Sequence, residues 1–254
     1  MELNRVINIS FVASCIYFAQ HYLEYEAYKK ELREYLLKVK DENVSTAALI
    51  WSAIKGDTKT ALLLIKQGVD VNAKDKEGHS ALMEAVYNGH KKMIDKLIEE
   101  GANINAQDKD GVTALRVAIQ KGYNQIVKTL LEKEADINAA DKNGVTVLMV
   151  ATHKGFKEIV QTLLEKGADI NAADKDGVTV LRVAIQNGSK QIVQTLIEKG
   201  ANINAINSSL NIEARDNEKL IHSLKLDTNQ EMDLTLEQKN TALELLGYIS
   251  NEEL

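Results

Sequence analysis

Cysteine occurs once, at Cys15, and proline not at all. A single cysteine excludes an internal disulfide and any zinc site built from a cysteine cluster. Proline would average about 5% of residues. Its absence, with heavy use of Lys, Ile and Asn, points to an AT-rich bacterial genome. Aromatic residues make up only 5% of the chain. No apolar run approaches the roughly 20 residues a membrane helix needs; the longest mostly apolar stretch, near the N-terminus, is about 14 residues. Excess positive charge is missing too. The formal charge is -6, and residues 207–254, with ten acids and four bases, account for all of it. Phosphate binding needs a net basic face, so nucleic acid is excluded as the expected partner.

Catalytic signatures are likewise missing. There is no phosphate-cradling glycine loop, H-E-x-x-H, C-x-x-C or nucleophile elbow. The five histidines, His21, His79, His90, His153 and His222, fall at unrelated positions. No catalytic residue, cofactor, metal or small-molecule substrate is assigned, and His90 reads as an ordinary repeat residue.

What is present is a period. Asp75, Asp108, Asp141 and Asp174 each open a D-K-x-G turn, and they recur at a constant spacing of about 33 residues, within the range that marks a stacked repeat array. Gly78, Gly111, Gly144 and Gly177 hold one position of the frame, and Gly89, Gly122, Gly155 and Gly188 another. Asn105, Asn138, Asn171 and Asn204 begin an N-A doublet that closes each unit. Run backwards, the frame lands on Gly56, Gly68 and Asn72. Five units follow: 42–74, 75–107, 108–140, 141–173 and 174–206. With the N-terminal flank taken to end at 43, the repeat region is 44–206.

Each unit can be read from its residues. Asp and Gly supply turn chemistry. Ser80, Thr113, Thr146 and Thr179 are N-caps, whose side-chain oxygens satisfy orphan amides of a short first helix. That helix ends at the second glycine. A second helix carries Ile94-Leu97-Ile98, Ile126-Val127-Leu130-Leu131, Ile159-Val160-Leu163-Leu164 and Ile192-Val193-Leu196-Ile197 on one face. Gly101, Gly167 and Gly200 close it in the left-handed position, which Glu134 takes in the third unit. A lone unit cannot bury its apolar face, so neighbours must stack.

The residues D-K-D-G-V-T-A-L-R-V-A-I-Q-K-G from Asp108 and T-L-L-E-K-G-A-D-I-N-A from Thr162 to Ala172 resemble the ankyrin repeat over about 165 of the 254 residues. The chain departs from the family's T-P-L-H: it reads Ser80-Ala81-Leu82-Met83, Thr113-Ala114-Leu115-Arg116, Thr146-Val147-Leu148-Met149 and Thr179-Val180-Leu181-Arg182. The missing proline removes a preorganised helix start. The Met, Arg, Met, Arg alternation suggests that the units were duplicated in pairs.

The resemblance implies an all-α fold with short hairpin loops, an ankyrin solenoid that is non-enzymatic and binds a protein partner as a monomer. It places the partner at the turn tips and concave helix face. The corresponding tip residues are Lys76, Glu77, His79, Lys109, Asp110, Val112, Lys142, Asn143, Val145, Lys175, Asp176 and Val178. Near the first-helix ends lie Tyr87, Asn88, Gln120, Lys121, His153, Lys154, Gln186 and Asn187. The three valines are expected either to form an apolar row or simply to suit the extended backbone beside the turn.

The flanks leave alternatives open. Residues 1–43 read as a helical N-terminal cap over the first unit. Residues 1–15, with Val12-Ala13-Ser14-Cys15 as a lipoprotein-like cleavage box, instead read as a signal segment whose Cys15 would be acylated. Membrane contact is expected only in that case. Residues 207–254 read as an acidic helical C-terminal cap, or as a detachable partner-binding tail. Location is accordingly the cytoplasm or a host cell, with a periplasmic or envelope lipoprotein as the alternative.

Overall fold

The computed structural model describes residues 30–32, 34–35 and 43–202. The C-terminal readings for 207–254 and the cleavage box around Cys15 lie outside the described residues. The described chain up to Ala135 forms one compact unit and the chain from Asp136 another.

The first unit contains α1 (Val44–Lys55), α2 (Thr58–Lys66), α3 (Ala81–Tyr87), α4 (Lys91–Glu99), α5 (Ala114–Gln120) and α6 (Asn124–Glu132). Here α1 packs on α2 and α3, α3 on α4 and α5, α2 on α4, and α5 on α6. The second unit contains α7 (Val147–His153), α8 (Lys157–Glu165), α9 (Val180–Gln186) and α10 (Lys190–Glu198). In it α7 packs on α8 and α9, α9 on α10, and α8 on α10. Among the described residues β-pairing is limited to isolated bridges: Lys74 with Ser80 and Gln107 with Thr113 in the first unit, Ala140 with Thr146 and Ala173 with Thr179 in the second.

These bridges are the necks of the D-K-x-G turns, and the opening aspartate builds each one. Asp75 Oδ1 accepts the amides of Glu77 at 2.9 Å and His79 at 2.8 Å. Asp108 does the same for Asp110 and Val112, Asp141 for Asn143 and Val145, and Asp174 for Asp176 and Val178. A carboxylate taking two local amides offers the chain a tight alternative to helix. The next residue then turns the chain into helix. Ser80, Thr113, Thr146 and Thr179 each accept, at 3.3 Å, the amide three positions on, as the N-cap assignment requires.

Burial follows the expected faces in part: Ile98, Leu131 and Leu164 are only half-buried, and Met93 is buried as well. The second helices bury Met93, Ile94 and Leu97, then Ile126, Val127 and Leu130, then Ile159, Val160 and Leu163, then Ile192, Val193, Leu196 and Ile197. Each such side chain contributes about 1.5–3 kcal/mol relative to exposure. The first helices have seven residues in four of the five repeats, but α1 has twelve. Asn43 caps α1, accepting the Ser45 amide, so the helix starts ahead of the position the frame gives.

Asparagines link neighbouring repeats within each unit. Asn72 Nδ2 donates to the Gly101 carbonyl at 3.2 Å, and Asn72 Oδ1 accepts the Asn103 amide. In the second unit Asn138 Oδ1 accepts the Asp169 amide and Asn171 Oδ1 the Asn202 amide, both at 2.8 Å. These bonds satisfy backbone groups of the loops that follow the second helices, which have no helical partner of their own.

Glu134 is the one non-glycine residue with positive φ among those described, at 64°. A side chain in that region costs about 1 kcal/mol relative to glycine. The bond it receives from Asn105 Nδ2, at 3.4 Å, goes to its backbone carbonyl and would survive a change of side chain. Glu134→Gly is therefore expected to raise the melting temperature slightly, and Gly167→Glu, at φ 90°, to lower it. A clear loss of stability in Glu134→Gly would show that its side chain makes a contact worth more than the strain.

Candidate functional site

The turn tips and first-helix ends are the surfaces on which the sequence places partner binding. Lys76, Glu77, Lys109 and Asp110 are exposed in the first unit, and Lys142, Asn143, Lys175 and Asp176 in the second. His79, Val112, Val145 and Val178 are half-buried. Both backbone groups of these four belong to the turn: each donates its amide to the opening aspartate and returns its carbonyl to that aspartate's own amide. Their side chains thus stand partly against the turn.

Successive tips are tied directly. The Lys109 amide donates to the Glu77 carbonyl at 3.0 Å, and the Lys175 amide to the Asn143 carbonyl at 2.9 Å. The approach is close enough to need glycine. A Cβ on Gly78 would lie 2.9 Å from Lys109 N, and one on Gly144 would lie 3.1 Å from Lys175 N.

At the helix ends, Tyr87, Asn88, Gln120 and Lys121 are exposed in the first unit, and His153, Lys154, Gln186 and Asn187 in the second. Tyr87 is 52% exposed, which no other large apolar side chain among the described residues matches. Lys121, from the next repeat, places its ammonium 3.6 Å from the Tyr87 ring centroid. Such a pair at the surface contributes about 0.5–1 kcal/mol and holds the ring in one orientation. Asn187 Nδ2 donates to the His153 carbonyl at 2.7 Å, capping the C-terminal end of α7 from the neighbouring helix.

Two contacts went unseen in the sequence. His90 is more than an ordinary repeat residue: its Nε2 lies 2.9 Å from the Ile54 carbonyl, and its ring sits so close over Gly56 that a Cβ there would come within 2.8 Å of Nδ1. It therefore ties α4's entrance to the end of α1. Tyr123 lies over Gly89 in the same way, at 3.5 Å. Each ring meets the glycine that stands one repeat and one position before it, a spacing that could have been tested.

The second is a group around His79. Its Nδ1 is 3.4 Å from both Asp75 Oδ2 and Glu84 Oε1, and its Nε2 is 3.8 Å from Asp108 Oδ2. Burial raises the Glu84 carboxyl above its ordinary value; His79 opposes this and the charge of Asp75 adds to it. Among the described residues no group of three or more His, Cys, Asp or Glu side chains is disposed to hold a metal ion. No helix among them is long and apolar enough to cross a membrane.

The family model for ankyrin repeats (3 copies) matches residues 23–108, 49–141 and 115–207. The chain belongs to the ankyrin-repeat family. The first match begins upstream of residue 42, where the frame opens the first repeat, and includes helical residues 30–32 and 34–35. A search of curated proteins finds no match. Ankyrin repeats are in general protein–protein interaction modules.

One buried polar group works against this ankyrin array. Thr152 is fully buried and its hydroxyl has no hydrogen-bond partner, while the equivalent positions are Val86, Ile119 and Ile185. An unsatisfied buried hydroxyl costs about 1–3 kcal/mol. Thr152→Val is expected to stabilise the second unit by about 1 kcal/mol, read as a higher urea midpoint. A lower midpoint would mean the hydroxyl is paired.

Proposed function

We propose that this ankyrin-repeat protein is a non-enzymatic scaffold that binds a partner protein through its turn tips and concave helix face, as a monomer. We further propose a bacterial source and a role as an effector or regulator, acting in the cytoplasm or after delivery to a host cell. Tyr87 carries the binding reading. It is a large exposed ring paired with the Lys121 ammonium, and tyrosine is enriched among residues that dominate binding energy.

Affinity capture from the source organism supplies the partner. Tyr87→Ala with Lys121→Ala is then expected to weaken binding about thirtyfold, as loss of a ~2 kcal/mol hot spot requires, with little change in thermal unfolding. A second variant, Val112→Asp, Val145→Asp and Val178→Asp together, separates the tips from the helix ends. Unchanged binding in both variants would defeat the assignment. The sequence motif at Cys15 supports a rival reading, an exported or lipid-anchored envelope protein with a structural ankyrin module. Mass spectrometry of the native protein decides between them: an acylated Cys15 rejects the cytoplasmic reading, and an intact N-terminus rejects lipoprotein processing.

A further inference from the structure

We propose that His79, with Asp75, Glu84 and Asp108, is a proton-operated clamp that locks the turn of the second repeat to that of the third. The two positions involved in the second repeat, His79 and Glu84, are both valine in the three repeats that follow: Val112 and Val117, Val145 and Val150, Val178 and Val183. The first repeat has Thr46 and Trp51 there, so the second is the one repeat with an ionisable pair at these positions.

The geometry gives this pair a consequence. The side chains of Asp75, Glu84 and Asp108 are 17%, 19% and 12% exposed, against 40% for His79. Three carboxylates are therefore largely withdrawn from water around one imidazole. Their ion-pair partner among the described residues is His79. Asp75 and Asp108 commit Oδ1 to their own turns, which leaves Oδ2 to face the ring. Asp75 comes from the same turn as His79, Glu84 from α3, and Asp108 from the next turn; Lys76, Glu77 and Lys109 flank the group on the exposed tips.

A neutral imidazole carries one N–H, so it can donate on one side only. It serves either the Asp75 and Glu84 side or Asp108. Imidazolium carries two and a positive charge, which attracts Asp75 and Glu84 at 3.4 Å and Asp108 at 3.8 Å together and offsets the repulsion among the three acids. Histidine is the side chain whose charge changes between pH 5 and 8. Glu84 bears on this separately: its carboxyl is raised by burial while the charge of His79 opposes that rise, so the folded state binds that proton more readily than the unfolded chain. The resulting stability is fully present below the unfolded value and is lost as pH rises through the folded one. The clamp is therefore expected to be tighter at about pH 5.5 than at about pH 7.5, the range over which a histidine gains its charge.

The reporter is built in. The Lys109 amide crosses from the third turn to the Glu77 carbonyl of the second, and the Lys175 amide makes the equivalent bond to Asn143 where the paired positions are valines. Amide hydrogen exchange of the full chain, corrected for intrinsic rates, is compared at pH 7.5 and 5.5. Protection at Lys109 is expected to rise about tenfold at the lower pH, with Lys175 unchanged. The double variant His79→Val with Glu84→Val, which installs the residues of the other repeats, is expected to fold and to lose the pH response at Lys109. Equal protection at both pH values in the wild-type chain overturns the clamp. So does a response that Lys175 shares, or one that persists in the double variant. None of these readouts involves partner binding, so the clamp and the scaffold reading stand or fall separately.

Discussion

Gly78→Ala is expected to cost about 3 kcal/mol, while Gly101→Ala costs about 1 kcal/mol. The backbones at the two sites are nearly the same, with φ of 89° and 88°. A Cβ in this left-handed region carries a penalty of about 1–2 kcal/mol at either site. The surroundings differ. At Gly101 nothing lies within 4 Å of the added carbon, whereas at Gly78 it would meet Lys109 N at 2.9 Å, Asp108 Cα at 3.0 Å and Asp108 C at 3.1 Å. Those atoms are backbone and cannot rotate aside. Relief requires the two turns to separate, which breaks the Lys109 to Glu77 bond, and overpacking of this kind costs about 1–3 kcal/mol more. Urea unfolding of the two variants reads the difference directly. Equal midpoints would show that the tips yield freely and are not in rigid contact.

Removing residues 1–43 is expected to destabilise the first unit by several kcal/mol and to cause self-association. In α1 every residue from Thr46 to Ala53 is buried, so the helix has no solvent face along that stretch. Its partners α2 and α3 lie on part of its circumference; the rest needs a cover. Leu32 is 5% exposed, and Glu31 pairs with Lys55 at the end of α1 at 2.5 Å. We propose that the segment before Asn43 provides that cover. Uncovering even a few hundred Å² of apolar surface costs several kcal/mol at ~25 cal/mol per Å². Leu32→Ala should give about 2–5 kcal/mol of the loss alone. An unaltered melting temperature and monomeric elution of the truncated chain would sink the cap assignment.

The repeats were legible because their determinants are local. Ser80, Thr113, Thr146 and Thr179 cap amides three positions away, and the opening aspartates bond amides two and four positions away, so spacing alone exposes them. Glu134 stood out for the same reason, as an interruption in a column of glycines. The candidate site was legible as a set of positions but not as contacts. Tyr87 and Lys121 were both named, yet their pairing depends on how adjacent helices are offset. The His79 group needs Asp108, which belongs to the following repeat, to be brought across by stacking. The twelve-residue length of α1 was not legible, because the frame gives no guide to a segment that does not repeat, although 1–43 reads in the sequence as a helical cap over the first unit.

The burial of α1 also bears on the order in which the chain is made. Its later partner α3 begins only at Ala81, well after α1 has ended at Lys55. At a synthesis rate of about 5–20 residues per second, roughly one to five seconds separate the two. Until then only α2, of the two downstream helices that pack on α1, has been made. The segment carrying Leu32 precedes both. On the cap assignment proposed above it would shelter α1 before α3 arrives, and later repeats would then add to an already covered surface.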